Sequence, residues 1–450
     1  MTTVLAARTH SPGNDIPVYH EATALDLPVT GRLPKELDGR YLRIGPSPIR
    51  PDVAGTRHSF VGEGMVHGVR LRNGRAEWCR SRWVRSSRVC RELGERAIPG
   101  PRHGLCDEAN GNVIRHAGRI LALADAGALP VELDGQLESV ATIDFEGTLP
   151  NGFAAHPECD PVTGEQFAIA YYHAIPHPQY LIVDVTGRVR HAEPIPTDGT
   201  PMMHALSLTD RHVVCYDLPV AFDRRLAEAG SRCPYSWQPD RTARLGVLRR
   251  EGRGADVRWF EIDPCFVFHP LNAHEDADRI VLDVIRHDRV FDRDPLRPGE
   301  SAPTLWRWTI DLRRNSVSTE QLDDTPEEFP RIDDRLKTMP YRYAYTVAVR
   351  PDADGPFGGS RLRKHDLVRH EVEEHDFGPG REAGEAVFVP RCPYSAEDDG
   401  WLLTYVHDAS TDLTDLVVLA AGDFRAPPVA TVRLPPRVPL GLHANWIRAW

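Results

Sequence analysis

The 450-residue chain contains no C-x-x-C pair. Its eight cysteines, Cys79, Cys90, Cys106, Cys159, Cys215, Cys233, Cys265 and Cys392, are scattered. That spacing argues against a thiolate zinc module, and a chain this long needs no disulfide framework. The plain reading is small buried hydrophobes. Long apolar runs are missing too, since nothing approaches the roughly 18 residues that span a bilayer. The opening MTTVLAARTHSPGND turns polar too early for a secretory signal, so the chain reads as cytoplasmic. There is no long lysine run, and the net charge is −11. Arginines are interleaved with acids, as in DVIRHDRVFDRDPLRPG (283–299), which leaves no basic face for nucleic acid. Low-complexity tracts and a visible blade-length repeat are absent as well. The 39 prolines and 35 glycines are spread evenly, so no linker divides the chain.

What is present is an ordinary globular composition, 41% apolar and 26% charged, cut into short β-type runs by turn chemistry. RYLRIG (40–45) is one such run. MVHGVRLRNGRAEWCRSRWVR (65–85) reads as a hairpin around Asn73-Gly74, the strongest two-residue hairpin signal. QYLIVDVTGRVRHAEPI (179–195) repeats the form at Thr186-Gly187. Further runs lie at 212–220, 257–262, 279–287, 304–322, 400–408 and 415–423. The best helical stretch is DRRLAEAGS (223–231). Many short strands with helices only in connections predict a closed all-β fold. A propeller of four-stranded blades fits the length, and a pair of packed β domains is the alternative.

Four of the 20 histidines share a context. His156 follows Phe-Ala-Ala in NGFAAHPECDP, His204 follows two methionines in PMMHALSLT, His269 follows CFVF, and His443 lies in PLGLHANW close to the C-terminus. Each ends an apolar or small-residue stretch. A buried imidazole must satisfy two ring nitrogens. Separate core hydrogen bonds do this, and so does convergence on one metal; imidazole suits Fe, Zn, Cu and Ni alike. Neutral ligands would call for carboxylates to accept the outer N–H of each ring. Asp125, Glu328 and Glu385 lie in similarly apolar stretches, although surface exposure is the commoner fate of an acid. His173, His177, His191 and His287 sit among polar or loop residues and receive no role. Phe60, Trp83, Phe153, Phe268 and Phe329 are candidate aromatics for a ligand tunnel or for the core.

From about residue 15 onward the chain resembles the carotenoid cleavage oxygenase family. The resemblance is carried, in family order, by LPKELDGRYLRIGPSPIRP, HSFVGEGMVHGVRLRNGRAEW, GNVIRHAGRILALADAGALPVELD, AHPECDPVTGE, MMHALSLT, VFHPLNAHED, EFPRID, YRYAYT, EAVFVPRCPYSAEDDGWLLTYVHD and GLHANWI. It implies one domain over 1–450 (with 1–14 a loose extension), folded as a seven-bladed β-propeller with a short helical cap over the iron face. It implies Fe(II) on the axis, held by His156, His204, His269 and His443, with Asp125, Glu328 and Glu385 behind them. The tail would then be apolar because it closes the propeller and delivers the fourth ligand. The implied activity is O2-dependent splitting of a conjugated C=C in a carotenoid or apocarotenoid into two carbonyl products. An apolar tunnel would admit the substrate and an apolar rim would touch membranes without spanning them; no obligate protein partner is implied.

Three departures bear on this. The family usually has Glu at the position of Asp125, and the missing methylene removes on the order of 1.5 Å of reach, which a bridging water would make up. Ala205 follows the second histidine where many members have Asp. In stilbene-cleaving members a lysine binds the substrate's phenol just before the carboxylate; here that position is Ala124, which favours a polyene over a stilbene such as resveratrol. Polyene isomerisation has no specific support. A propeller that binds an apolar ligand without catalysis is the reading of another class. A zinc hydrolase is weaker, because catalytic zinc keeps three protein ligands.

Overall fold

Asn73 and Gly74 take φ of 51° and 72°, the left-handed pair that a tight hairpin turn requires. They join strands Gly64–Arg72 and Arg75–Trp83 in register, as the sequence predicts. Similar hairpins recur along the chain in a computed structural model that describes residues 14, 16–51, 58–103, 107–294, 299–350 and 358–449. They assemble into seven antiparallel sheets, the blades of a propeller. The alternative of two packed β domains is thereby set aside.

Four middle blades are simple four-stranded meanders, and a fifth carries a side hairpin. In chain order they begin at Asn112–His116 (blade 2), Glu158–Cys159 (blade 3), Leu206–Leu208 (blade 4), Pro270–Asp276 (blade 5) and Glu327–Arg331 (blade 6). These first strands, with Val387–Pro390 of blade 7 and Ala444–Arg448 of blade 1, pack round the axis. The two remaining blades are built from both chain ends. Strand Val29–Gly31 completes the outer side of blade 7 by pairing with Ala430–Leu434. Strand Ala444–Arg448 enters blade 1 beside Gly39–Pro46, with Arg43 opposite Ala444. This double closure explains the apolar tail, because Ala444 and Ile447 are buried. The buried Arg43 guanidinium donates to the Pro439 carbonyl and lies 5.0 Å from the Tyr405 ring centre, which fixes the chain just before His443. Trp450 lies outside the described residues, as do 1–13 and 15 of the expected loose extension; Asn14 is buried, and its carbonyl accepts the Leu440 amide at 2.7 Å.

There are two short α-helices among the described residues. The expected helix forms only in part, over Arg224–Glu228, with Asp223 as its N-cap. The other, Ser87–Leu93, is not expected from the sequence, although Ser86 caps its start and Gly94 (φ 70°) its end. Both stand by the same cavity mouth: the Ser87 amide donates to Asp107, and Arg232–Tyr235 follow the second helix into the cavity wall. The described cysteines are all unpaired thiols; Cys106 lies outside them. No helix among the described residues is long and apolar enough to cross a membrane.

Candidate metal centre and apolar cavity

A propeller brings the start of every innermost strand to the axis, and four of those starts carry a histidine. His443 and His269 immediately precede Ala444–Arg448 and Pro270–Asp276. His156 and His204 stand two residues before Glu158–Cys159 and Leu206–Leu208. Their rings meet: centroids are 4.2 Å apart for His156 and His204, 4.5 Å for His156 and His443, and 4.7 Å for His269 and His443. Ligand-capable atoms of His156, His269 and His443 all lie within 4.8 Å of one another, and so do those of Asp125, His156 and His204.

Three blades supply the carboxylates. Asp125 Oδ2 is 2.6 Å from His204 Nδ1, Glu328 Oε2 is 2.6 Å from His269 Nδ1, and Glu385 Oε1 is 3.2 Å from His443 Nδ1. Each carboxylate therefore uses Nδ1–H, which leaves Nε2 of those rings as the ligand atom. His156 is the exception: among the described residues no carboxylate pairs with its ring. Burial, then the neighbouring rings of His204, His443 and His269, hold its pKa well below the usual value. Burial likewise lowers His443, against the pull of Glu385. Neutral imidazoles are the form that binds a metal. Burial opposes the charge on Glu328, but His269 and His287 outweigh it and hold the carboxyl well below its usual range. Glu385 is lowered in the same way, by His443 and Arg331 against burial.

The contact of Asp125 corrects the expectation of a bridging water. Its side chain reaches His204 directly, and the turn that carries it is packed closely on the segment before His156. A Cβ on Gly152 would fall 2.3 Å from the Gly127 Cα, and one on Gly111 would fall 2.9 Å from the Ala155 Cβ. With Ala126 and Gly127 at positive φ (58° and 88°), the turn after strand Arg119–Leu123 presses against 152–156. The Ala155 amide then donates to Asp125 Oδ1 at 2.7 Å.

Sequence reasoning missed a further set of groups. Every carboxylate is also held by a backbone amide and by one more side chain. Tyr171 Oη donates to Asp125 (3.3 Å), His287 Nε2 meets Glu328 Oε1 (3.0 Å), and Arg331 approaches Glu385 (3.5 Å). His287 had been given no role; its one signal was its place at the end of the apolar run RIVLDVIRH. Phe329, at a bulge between Glu328 and Arg331, takes φ of 54° and stacks on His269 with ring centres 5.7 Å apart. Such left-handed strain in a bulky residue is sustained where packing fixes it.

The four histidines close one end of a cavity of about 500 Å³. Its walls come from residues that precede them, including Ala155, Met202, Phe268 and Leu442, with Phe60, Phe291 and Phe329. Of the candidate aromatics, Phe60, Phe268 and Phe329 line it, whereas Trp83 and Phe153 pack in the core. Ala124 lies in the wall beside Asp125, and among the lining residues there is no lysine. Arg232 at the mouth is paired with Glu108 at 2.5 Å. A second cavity of about 420 Å³, of mixed polarity with several charged side chains, is lined by residues that follow the histidines, such as Pro157, Pro270 and Asn445, so it approaches His156, His269 and His443 from the opposite side. The arrangement offers four imidazole nitrogen donors, three of them backed by carboxyl groups, at the end of an apolar chamber. That donor chemistry fits a divalent transition metal.

The family sequence model described as "RPE65: Retinal pigment epithelial membrane protein" matches residues 16–448. A carotenoid cleavage oxygenase of Mycobacterium tuberculosis is 43% identical, with 99% of each chain covered. Among solved structures, the lignostilbene dioxygenase of Pseudomonas brassicacearum superposes with a TM-score of 0.88 at 28% identity, covering 99% of this chain and 100% of that one. A cobalt-substituted apocarotenoid oxygenase from Synechocystis gives 0.85 at 26% identity, covering 97% and 98%. The chain belongs to the carotenoid cleavage oxygenase family and is an oxygenase that incorporates O2 into its substrate.

Proposed function

We propose that this protein is a non-haem iron(II) dioxygenase that splits one conjugated C=C bond of a carotenoid or apocarotenoid into two carbonyl products. The observation that carries the reading is a mainly apolar cavity of about 500 Å³ that ends on four converging imidazoles. His156, His204, His269 and His443 would hold the metal, and Asp125, Glu328 and Glu385 would orient three of those rings. Iron(II), when bound, supplies the O2 chemistry. The residues of the chain orient the alkene and exclude water. Both atoms of O2 enter the products, so no external reductant is required. The cavity lies within the usual range of about 300–1,000 Å³ for small-molecule sites.

Cleavage of a stilbene is the second reading, favoured by the likeness to the lignostilbene dioxygenase. The wall of this cavity weighs against it. Ala124 offers no ammonium to a phenolate, and the cation nearest the mouth, Arg232, is already paired with Glu108. A phenol buried without its partner loses about 1–3 kcal/mol. The test is a paired aerobic assay of the Fe(II)-loaded protein with an apocarotenal and with resveratrol, under 18O2, with products followed by mass spectrometry. Labelled carbonyl pairs from the polyene alone are expected. Cleavage of resveratrol alone moves the substrate to the stilbenes.

A further inference from the structure

We infer that His287 is a positioning residue for the metal centre: it fixes the carboxylate of Glu328, and through it the ring of His269. The inference rests on the four-histidine reading given above. The backbone of His287 is anchored independently of its side chain. Its amide and carbonyl both pair with Phe266 at 2.8 Å, three residues before His269. The imidazole then reaches across to Glu328, with Nε2 at 3.0 Å from Oε1. The other carboxylate oxygen takes His269 Nδ1 at 2.6 Å and the Phe329 amide at 2.5 Å. This closes a circuit from the His287 backbone through Phe266 to His269, through Glu328, and back to the His287 ring.

A carboxylate is rigid and planar, so its two oxygens turn together. Both partners here are fully buried, with His287 and Glu328 each 0% exposed. In such surroundings no solvent replaces a lost donor, and a freed oxygen rotates toward another one. Rotation carries the second oxygen off His269 Nδ1 and releases the ring. The corresponding side chains behind the other two carboxylates also line a cavity: Tyr171 the apolar one and Arg331 the second one. His287 lines neither, although its ring packs edge-on against Phe268 of the apolar wall at 5.2 Å, so the test reads metal affinity and ligand geometry rather than turnover.

The experiment titrates Co(II) anaerobically into metal-free full-length protein. Affinity is read by chelator competition and ligand geometry by the visible d–d bands. Three variants are compared with the unaltered chain. His287→Leu removes the donor, His287→Gln keeps an N–H at similar reach, and His287→Asn keeps one that falls short. The direct hydrogen-bond partner of a metal ligand is worth about 10–100-fold in affinity; His287 acts one contact further out, through Glu328, so the lower end, about 10-fold, applies. His287→Leu and His287→Asn are expected to weaken Co(II) by that factor and shift the bands, with His287→Gln restoring most of both. Equal affinity and spectra for the Leu variant and the unaltered protein overturn the inference. If the Leu variant does not fold, equal affinities of the Gln and Asn variants overturn it. Failure of the unaltered protein to bind cobalt overturns the four-histidine reading and this inference with it.

Discussion

Three of the four proposed ligands have one carboxylate neighbour, which makes substitutions informative. His269 lies 2.6 Å from its carboxylate and stacks on Phe329. His269→Ala is expected to lose most of the metal and all cleavage while the propeller still folds, measured by metal analysis and circular dichroism. Asp125→Asn keeps the shape and removes the charge. Because the contact to His204 is direct at 2.6 Å, a loss of about 10-fold or more in metal affinity is expected, read by chelator competition. The four histidines and three carboxylates were legible in the sequence because the histidines end apolar or small-residue stretches, the acids adjoin apolar ones, and each falls on a family motif. Tyr171, His287 and Arg331 were not, because their contacts span 41 to 54 positions between separate blades. The reach of Asp125 was misjudged for a related reason. Side-chain length is read from the sequence, whereas the separation of Asp125 from His204, 79 positions on, is a tertiary fact.

At the scale of elements, strands were well marked, and the hairpins at Asn73-Gly74 and Thr186-Gly187 fell where the turn chemistry placed them. Helix Ser87–Leu93 carried readable caps, but its seven residues are too few for a periodic pattern to show. The last strand, Ala444–Arg448, has the largest consequence. Its removal with His443 uncovers the edge of Gly39–Pro46 and takes one ligand. Truncation after Leu442 is expected to abolish metal binding and cooperative unfolding together, as thermal melts would record. Ties between blades carry their own pH signature. Glu275 in blade 5 accepts from Thr209 (2.7 Å), the Arg211 amide (2.9 Å) and His212 (3.0 Å) in blade 4. Burial raises its pKa, but these hydrogen bonds outweigh burial and pull it from 4.5 to about 2. A depressed folded pKa gives stability that is complete above the unfolded value and is lost as pH falls toward the folded one. Glu275→Gln is therefore expected to cost about 1–2 kcal/mol near neutral pH, with the gap to the unaltered protein closing between about pH 4.5 and 2 in denaturant titrations.

For the molecule as a whole, seven blades arise without a visible sequence repeat, since the blades share antiparallel pairing while strand lengths, from 2 to 9 residues, and loops vary. What the blades share is a geometric consequence: strand starts converge on the axis. Ligands drawn from four blades and carboxylates from the other three make the centre a readout of correct closure. A mainly apolar cavity then lies on one side of the histidines and one of mixed polarity, carrying most of the charged lining, on the other. The central claim is that the four imidazoles share one metal ion. Its most direct test is a crystal structure of the Fe(II)-loaded protein with anomalous data collected at the iron edge. The expected result is a single iron peak within bonding distance of Nε2 of His156, His204, His269 and His443. A peak elsewhere, or loaded crystals with no peak among these rings, would contradict the account.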